Sequence, residues 1–167
     1  MATTTTGKMA QTAEVSLRHA VATLAYRAAK PLRGAPPQFS AFRAGDGSRS
    51  AGEILAHLSD LLDWALSIAR GEERWRDTKP QSWTKDSERF HAALAAFDSF
   101  LSSGAALQSP AEKIFQGAIA DALTHVGQLS LLRRLAGSPV RPENYHVANI
   151  EAGLTGPNQN APVMEFD

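Results

Sequence analysis

Two side chains with the chemistry of metal ligands lie four residues apart in the segment Asp121-Ala-Leu-Thr-His125. The segment otherwise has the pattern of one long amphipathic helix. On a helix, a four-residue step places two side chains on one face, one turn apart. An aspartate oxygen and an imidazole nitrogen placed in this way could bind one divalent cation. The same spacing is also common by chance, so the two side chains could simply hydrogen-bond to each other.

A second histidine, His57, falls on the apolar face of another predicted helix. That face is the stripe Ile54, His57, Leu61, Trp64 and Ile68, with Glu53, Asp60, Ser67 and Arg70 largely on the other side. The corresponding inward stripe of the helix that carries Asp121 is Ile114, Ala118, Asp121, His125, Gln128 and Leu132. Because a buried aspartate is costly, we expect Asp121 to be paired, protonated or bound to a cation.

The predicted metal ligands are therefore His57, Asp121 and His125. Two histidines and one carboxylate suit zinc, nickel or ferrous iron, and such a set leaves positions open for water or substrate. The alternative is that the three side chains form a buried polar network without a metal.

The composition limits the other classes of function. The 167 residues, 43% of them hydrophobic, are enough for one domain with a real core. Seventeen basic residues balance 17 acidic ones, so neither nucleic acid nor a membrane surface is an expected partner. Cysteine is absent, so a thiol reaction would need a thiol from a substrate. With neither a secretory signal nor a membrane-spanning segment, the expected location is cytoplasmic.

Four helices are predicted to position these residues, at about 13–29, 51–70, 86–103 and 110–136. A capping box, Ser50 with Glu53, starts the second helix, and Gly71 ends it. Ser109 as N-cap with Pro110 as the first residue is predicted to start the fourth, and Gly137 ends it. No segment alternates with the period of a strand. The prediction is an all-α four-helix bundle over 13–137, with a flexible segment at 1–12 and a long irregular tail at 138–167, packed on the bundle or on a partner subunit.

The segment from Ala120 to Leu129, which contains Asp121, His125 and the step Gly127-Gln128, resembles the last helix of the DinB/YfiT-like family. In that family a His-x3-His pair just before a Gly-Gln step supplies two metal ligands. A histidine near the start of the second helix supplies the third, and His57 matches it. The resemblance covers about residues 13–137. Asp121 departs from it, because it stands where the family usually has the first histidine of the pair.

The resemblance implies a four-helix bundle with an unusual crossover, often assembled as a homodimer. It also implies a metal-dependent enzyme, since relatives transfer or isomerise with small thiols such as mycothiol and bacillithiol. A transferase or hydrolase using such a thiol is one hypothesis. The other is a non-catalytic dimer, stress-related or ligand-binding, in which the same residues form a polar network.

Several other residues have either a functional or an ordinary structural interpretation. His19 and His91 are predicted to lie on helix surfaces. Trp75 and Trp83 could wall a pocket or simply pack, and Tyr145-His146 could cap the site. Arg133 and Arg134 could bind an anionic substrate or complement the negative end of the helix dipole. The sequence contains neither a Gly-x-Ser-x-Gly nucleophile motif nor a phosphate-binding loop.

Overall fold

The chain is all-helical in a computed structural model that describes the backbone of residues 3–167 and the side chains of residue 12 and residues 14–167. Its helices are α1 (Thr3–Leu32), a short 3-10 helix (Pro37–Ala41), α2 (Ala51–Ala69), α3 (Trp83–Ser102), α4 (Ala111–Ile114), a π-helical turn (Phe115–Ile119) and α5 (Ala120–Leu135). Over this range there is no strand, only an isolated bridge between Glu143 and Glu165. The all-α prediction is confirmed. The helix begins at Thr3, within the segment predicted to be flexible; residues 1 and 2 of that segment lie outside the described residues.

The start of α2 is fixed by the predicted capping box. The Ser50 hydroxyl accepts a hydrogen bond from the Glu53 backbone N–H at 3.2 Å, and the Glu53 carboxylate accepts one from the Ser50 backbone N–H at 2.7 Å. Both bonds satisfy backbone groups that the first turn of a helix leaves free. The Ser50 N–H, followed by the Arg43 guanidinium, holds the pKa of the Glu53 carboxyl below its ordinary value. This cap sets the phase of α2 and thereby the direction of His57.

The start of the fourth helix differs from the prediction. Pro110, not Ser109, occupies the N-cap position, with extended backbone angles (φ −56°, ψ 136°), and no side chain caps the helix. The helical backbone then continues without a break through α4, the π-helical turn and α5, so we call residues 111–135 the fourth helix.

The π-helical turn changes which residues of the fourth helix face the core. A π-turn holds one residue more than an α-turn, so the face that points inward moves by one position. After the turn the buried residues are Ile119, Ala122, Val126, Leu129 and Arg133, together with Leu132 of the predicted row. Asp121, His125 and Gln128 of the predicted row lie beside them. The metal-ligand candidates are therefore at the rim of the core rather than in its centre.

The packing of the helices is not that of a simple up-and-down bundle. Each of α1 and α2 packs on α3 and on α5, which places α1 and α2 at diagonal corners. The connection at residues 33–50 therefore crosses the bundle instead of joining neighbours. Its 3-10 helix buries Phe39 against Trp83, with ring centroids 5.2 Å apart. Trp83 thus has the packing role that was one of its two interpretations.

The core is formed mainly by aliphatic residues from all four helices, with three fully buried phenylalanines, Phe39, Phe90 and Phe97. Within residues 3–167, no helix combines the length and the hydropathy needed to cross a membrane.

Arg133 is a buried residue that joins three parts of the chain. Its guanidinium donates hydrogen bonds to the backbone carbonyls of Pro31 at 2.9 Å, Arg33 at 3.0 Å and Gly34 at 3.2 Å, and to Ser138 at 2.9 and 3.0 Å. Burial lowers the pKa of this group. It therefore ties the end of α1 to the end of the fourth helix and is not free to bind a substrate.

The segment after the fourth helix lies against α1. Glu143 is buried, accepts a hydrogen bond from the Tyr26 hydroxyl at 2.6 Å and pairs with Lys30 at 2.8 Å. Burial and the bond to Glu143 raise the pKa of Tyr26. Further along, Arg33 donates to the Pro157 carbonyl at 3.1 Å. These contacts hold residues 143–157 on the bundle.

We expect the substitution Arg133→Met to lower the free energy of unfolding by about 2–4 kcal/mol, because it leaves several buried carbonyls without a donor. Arg134→Met is the matched control, since the neighbouring arginine is exposed, and should change stability by no more than about 0.5 kcal/mol. Urea denaturation followed by circular dichroism measures both. Equal losses in the two variants would contradict the tying role of Arg133.

Candidate metal centre

His57, Asp121 and His125 lie together in the structure. His57 extends from the second turn of α2, and the other two from the first two turns of α5. The His57 Nε2 is 3.7 Å from one carboxylate oxygen of Asp121, and the His125 Nε2 is 3.6 Å from the other. The two imidazole rings meet edge to face, with centroids 4.8 Å apart. Each residue offers one ligand atom, and these three atoms all lie within 4.8 Å of one another.

This arrangement could hold a metal ion. Two ligand atoms bonded to one tetrahedral ion at about 2.0–2.1 Å are roughly 3.4 Å apart. The two nitrogen–oxygen distances, 3.6 and 3.7 Å, are slightly longer than that value. All three ligand atoms lie within 4.8 Å of one another, so a bound ion would draw them closer together. Three protein ligands leave at least one position open, as in catalytic rather than purely structural sites.

A further side chain orients His125. The amide oxygen of Gln128 accepts a hydrogen bond from the Nδ1 of His125 at 2.8 Å. With its proton on Nδ1, His125 presents the lone pair of Nε2 toward Asp121 and His57. Metal-binding histidines usually have such an outer partner, which fixes both the tautomer and the ring orientation.

Asp121 is more exposed than the sequence pattern predicted. About half of its side chain is accessible (47%), whereas His57 and His125 are 15% and 12% accessible. The expectation of an inward-facing aspartate was wrong, because the π-helical turn just before it shifts the buried face to Ala122. The carboxylate thus closes the site on its solvent side, with the two histidines behind it.

His57 is held in its neutral form by its surroundings. Burial is the largest cause that lowers its pKa, followed by the positive charges of Arg49 and, when protonated, His125; Asp121 and Asp60 oppose the shift. A neutral imidazole is the form that binds a metal. His57 is therefore ready to act as a ligand near neutral pH without first losing a proton.

Two tryptophans form the wall beside His57. The Trp75 ring meets the His57 ring at 5.6 Å and the Trp64 ring at 5.9 Å, edge to face in both cases. Trp64 in turn packs over the π-helical turn, since a Cβ at Gly117 would be 3.5 Å from its ring. Trp75 thus packs on His57 and Trp64, and it does not line the polar cleft that His57 borders. It is half exposed (50%) and covers the outer side of His57.

His57 also lines a polar cleft of about 330 Å³. The other walls come from the two long connections and from α2, and they include Arg43, Arg49, Asp77 and Lys79. Arg43 pairs with Glu53, and Lys79 lies 3.9 Å from Asp77. Arg49 forms no hydrogen bond or ion pair within the part of the chain that the structure describes. The cleft therefore offers a polar pocket next to the proposed ligands, with one uncompensated positive charge.

Asp60 and Ser67 are buried, although the pattern of α2 placed them on the outer face. The Asp60 carboxylate accepts hydrogen bonds from the Thr78 backbone N–H at 2.8 Å and from the Thr78 hydroxyl at 2.7 Å, and it pairs with Arg89. These bonds hold the connection between α2 and α3 against the bundle. That connection carries Trp75, so Asp60 indirectly positions one wall of the site.

The remaining predicted candidates lie elsewhere. His19 is exposed on α1, as predicted, but His91 is half-buried, with an Nδ1 that has no hydrogen-bond partner and a pKa lowered by burial. Tyr145 packs edge-on against Tyr26, and His146 is exposed. Neither residue of this pair contacts the three ligand candidates among the described interactions.

Arg49 is a residue near His57 that the sequence did not single out. It belongs to a long connection without regular structure, in which no periodicity indicates the direction of a side chain. Its place just before the Ser50 cap is the only signal available.

We expect His57 in the metal-free protein to titrate below the ordinary histidine pKa of 6.5. The pKa of His57 is lower in the folded protein than in the unfolded chain, so the unfolded chain binds the proton first as the pH falls. The free energy of unfolding should therefore decrease as the pH falls below about 6.5. Arg49→Gln removes a positive charge and should move the His57 pKa upward. Proton NMR of the imidazole Hε1 signals measures it, and an unchanged or lower pKa in this variant would contradict the electrostatic account.

Comparison of the whole chain with protein-family models, with curated proteins and with solved structures finds no match in any of the three.

Proposed function

We propose that this chain is a metal-dependent enzyme of the DinB-like type, with a divalent transition metal bound by His57, Asp121 and His125. The observation that carries the proposal is the convergence of these three side chains from two helices beside a polar cleft. Zinc and nickel are the proposed metals, and ferrous iron is also compatible with the ligand set.

The distances favour a metal over a polar network. A hydrogen bond between an imidazole N–H and a carboxylate is about 2.7–3.2 Å long. Both histidine–aspartate distances exceed this range, at 3.6 and 3.7 Å. The three ligand atoms lie within 4.8 Å of one another, close enough for one cation to bind all three.

Residues around the three ligands supply the other parts of the proposed site. A divalent ion would lower the pKa of a thiol or water bound to it and so supply a nucleophile at neutral pH. Gln128 orients His125, and Trp75 shields His57 from solvent. The cleft with Arg49 would hold the substrate. The resemblance of the last helix to the DinB/YfiT-like family suggests thiol transfer, with hydrolysis as the second reaction class.

A non-catalytic homodimer is the second candidate, and it is favoured by a different observation. Several large apolar side chains are exposed on the fourth helix and on α1, namely Val15, Phe115, Leu131 and Leu135. Leu131 and Leu135 are one helical turn apart, and neighbouring exposed apolar side chains often mark an interface. In this candidate the three polar residues would only stabilise the bundle.

Protein purified without a metal-affinity tag should contain stoichiometric transition metal, measured by elemental analysis. His57→Ala should lower the affinity for zinc or nickel by at least about 100-fold, because it removes a direct ligand. Gln128→Ala should have a smaller effect, of about 10–100-fold, since it removes only the outer partner of His125. Competition with a chromogenic chelator measures both affinities.

His19→Ala is the matched control, because His19 is exposed on α1 and far in sequence from the site. Its metal affinity and its rise in melting temperature on added zinc should equal those of the original chain. Metal-free native protein, together with an unchanged melting temperature of His57→Ala on added zinc or nickel, would refute the metal proposal and leave the non-catalytic candidate.

We also expect a small thiol to bind at the open position of the metal. Cobalt-substituted protein titrated with 2-mercaptoethanol should develop a sulfur-to-cobalt charge-transfer band in the near ultraviolet. Asp121→Ala should weaken both the cobalt spectrum and this band, while His19→Ala should change neither. Normal cobalt binding without the thiol band would argue against thiol transfer and for hydrolysis.

A further inference from the structure

A second cleft, of about 330 Å³, lies between α1, α5 and the C-terminal segment. Three arginines line it, Arg27, Arg134 and Arg141, and the described lining contains no aspartate or glutamate. The chain as a whole has equal numbers of acidic and basic residues. The cleft is therefore a local concentration of positive charge in a protein without net charge.

Two of these arginines have no acidic partner. The Arg27 guanidinium lies over the ring of Tyr145, 4.2 Å from the centroid. Arg134 is exposed, and its guanidinium forms neither a hydrogen bond nor an ion pair with any described residue. Arg141 has two partners, Glu165 at 3.9 Å and Asp167 at 3.6 Å, both beyond hydrogen-bond length. A guanidinium stacked on a ring keeps the donors at its edge available, so these groups can bind an oxyanion.

The rest of the lining is largely apolar. Leu131 is about half exposed (54%), and Tyr145 packs edge-on against Tyr26 at 6.3 Å, which holds its ring in place. Gly127 forms an open part of the wall, since a Cβ there would meet no atom within 4 Å. Pockets of roughly 300–1,000 Å³ with apolar walls and a few charged groups are typical of sites for small molecules.

This cleft is separate from the candidate metal centre. Arg134 follows His125 by nine residues, which is two and a half turns at about 3.6 residues per turn. The two side chains therefore project from opposite faces of α5. Gly127, Leu131 and Arg134 share the face that points away from His125.

We infer that this cleft binds a small organic oxyanion, a molecule with a phosphate or carboxylate group attached to an apolar body. The arginines bind the charged group, and Leu131 and Tyr145 contact the apolar part. A nucleic acid would need a long basic stripe to follow its backbone, and the net charge of zero does not favour one. The inference does not depend on the metal.

Calorimetric titration at low ionic strength with phenyl phosphate, benzoate and benzyl alcohol tests the inference. We expect saturable binding of one or both anions and no binding of the neutral alcohol. The comparison of phenyl phosphate with benzoate shows which anionic group the cleft prefers. Nitrogen–proton NMR spectra should show shifts of the Gly127 and Ser130 amides. Arg134→Gln should weaken binding by about tenfold or more, the effect of losing one charge-assisted hydrogen bond.

Two further variants separate this site from a general effect of charge. Arg76→Gln removes an exposed arginine that lines a different cleft and should change the affinity by less than about twofold, because distant charges are screened. Gly127→Met fills the cleft without removing charge, and it should abolish binding while leaving the melting temperature unchanged or higher, since Met favours a helix more than Gly.

Three outcomes would overturn the inference. In the first, the original chain binds neither anion, or binds benzyl alcohol equally well. In the second, Arg134→Gln and Gly127→Met retain the original affinity. In the third, a single-stranded oligonucleotide shifts the Gly127 and Ser130 amides and both small anions fail to do so, which would assign the cleft to nucleic acid.

Discussion

The burial of α2 on several sides is the constraint on which the rest of the structure depends. This helix packs on α3, on the fourth helix and on the 3-10 helix, and Leu55, Leu58 and Leu62 have no accessible surface. A helix so enclosed must also bury some polar residues, and each of these then needs a partner. Asp60 meets this need through Thr78 and Arg89. The same enclosure brings His57 to the fourth helix.

The π-helical turn determines what His57 meets there. Without the additional residue in Phe115–Ile119, Asp121 would point into an apolar core, where its charge would be costly. With the turn, Ala122 takes the inward position, and Asp121 moves to the rim between the two histidines and solvent. A metal bound at the rim would be accessible from the adjoining cleft, whereas a metal bound in the core would not.

The C-terminal segment creates a second surface on the opposite side of α5. It is held by Glu143, which Tyr26 and Lys30 contact, and by the bond from Arg33 to Pro157. The segment thereby places Arg141 and Tyr145 beside residues of α1 and α5. Two clefts of similar volume thus differ in charge: acidic and basic side chains line the one at His57, whereas the described lining of the other contains arginines without acidic residues.

Local patterns in the residues were enough to derive the helices, the capping box at Ser50 and the three ligand candidates, because caps and periodicity depend on near neighbours in the chain. They did not show that Asp121 is exposed or that Asp60 is buried. The exposure of Asp121 depends on the π-helical turn, and the burial of Asp60 depends on its contacts with Thr78 and Arg89. A regular period of 3.6 residues predicts neither of them. Arg133 and Arg134 are adjacent and identical in type, yet one ties the bundle together and the other faces a cleft. Only the packing of α1 and the C-terminal segment against the fourth helix distinguishes them.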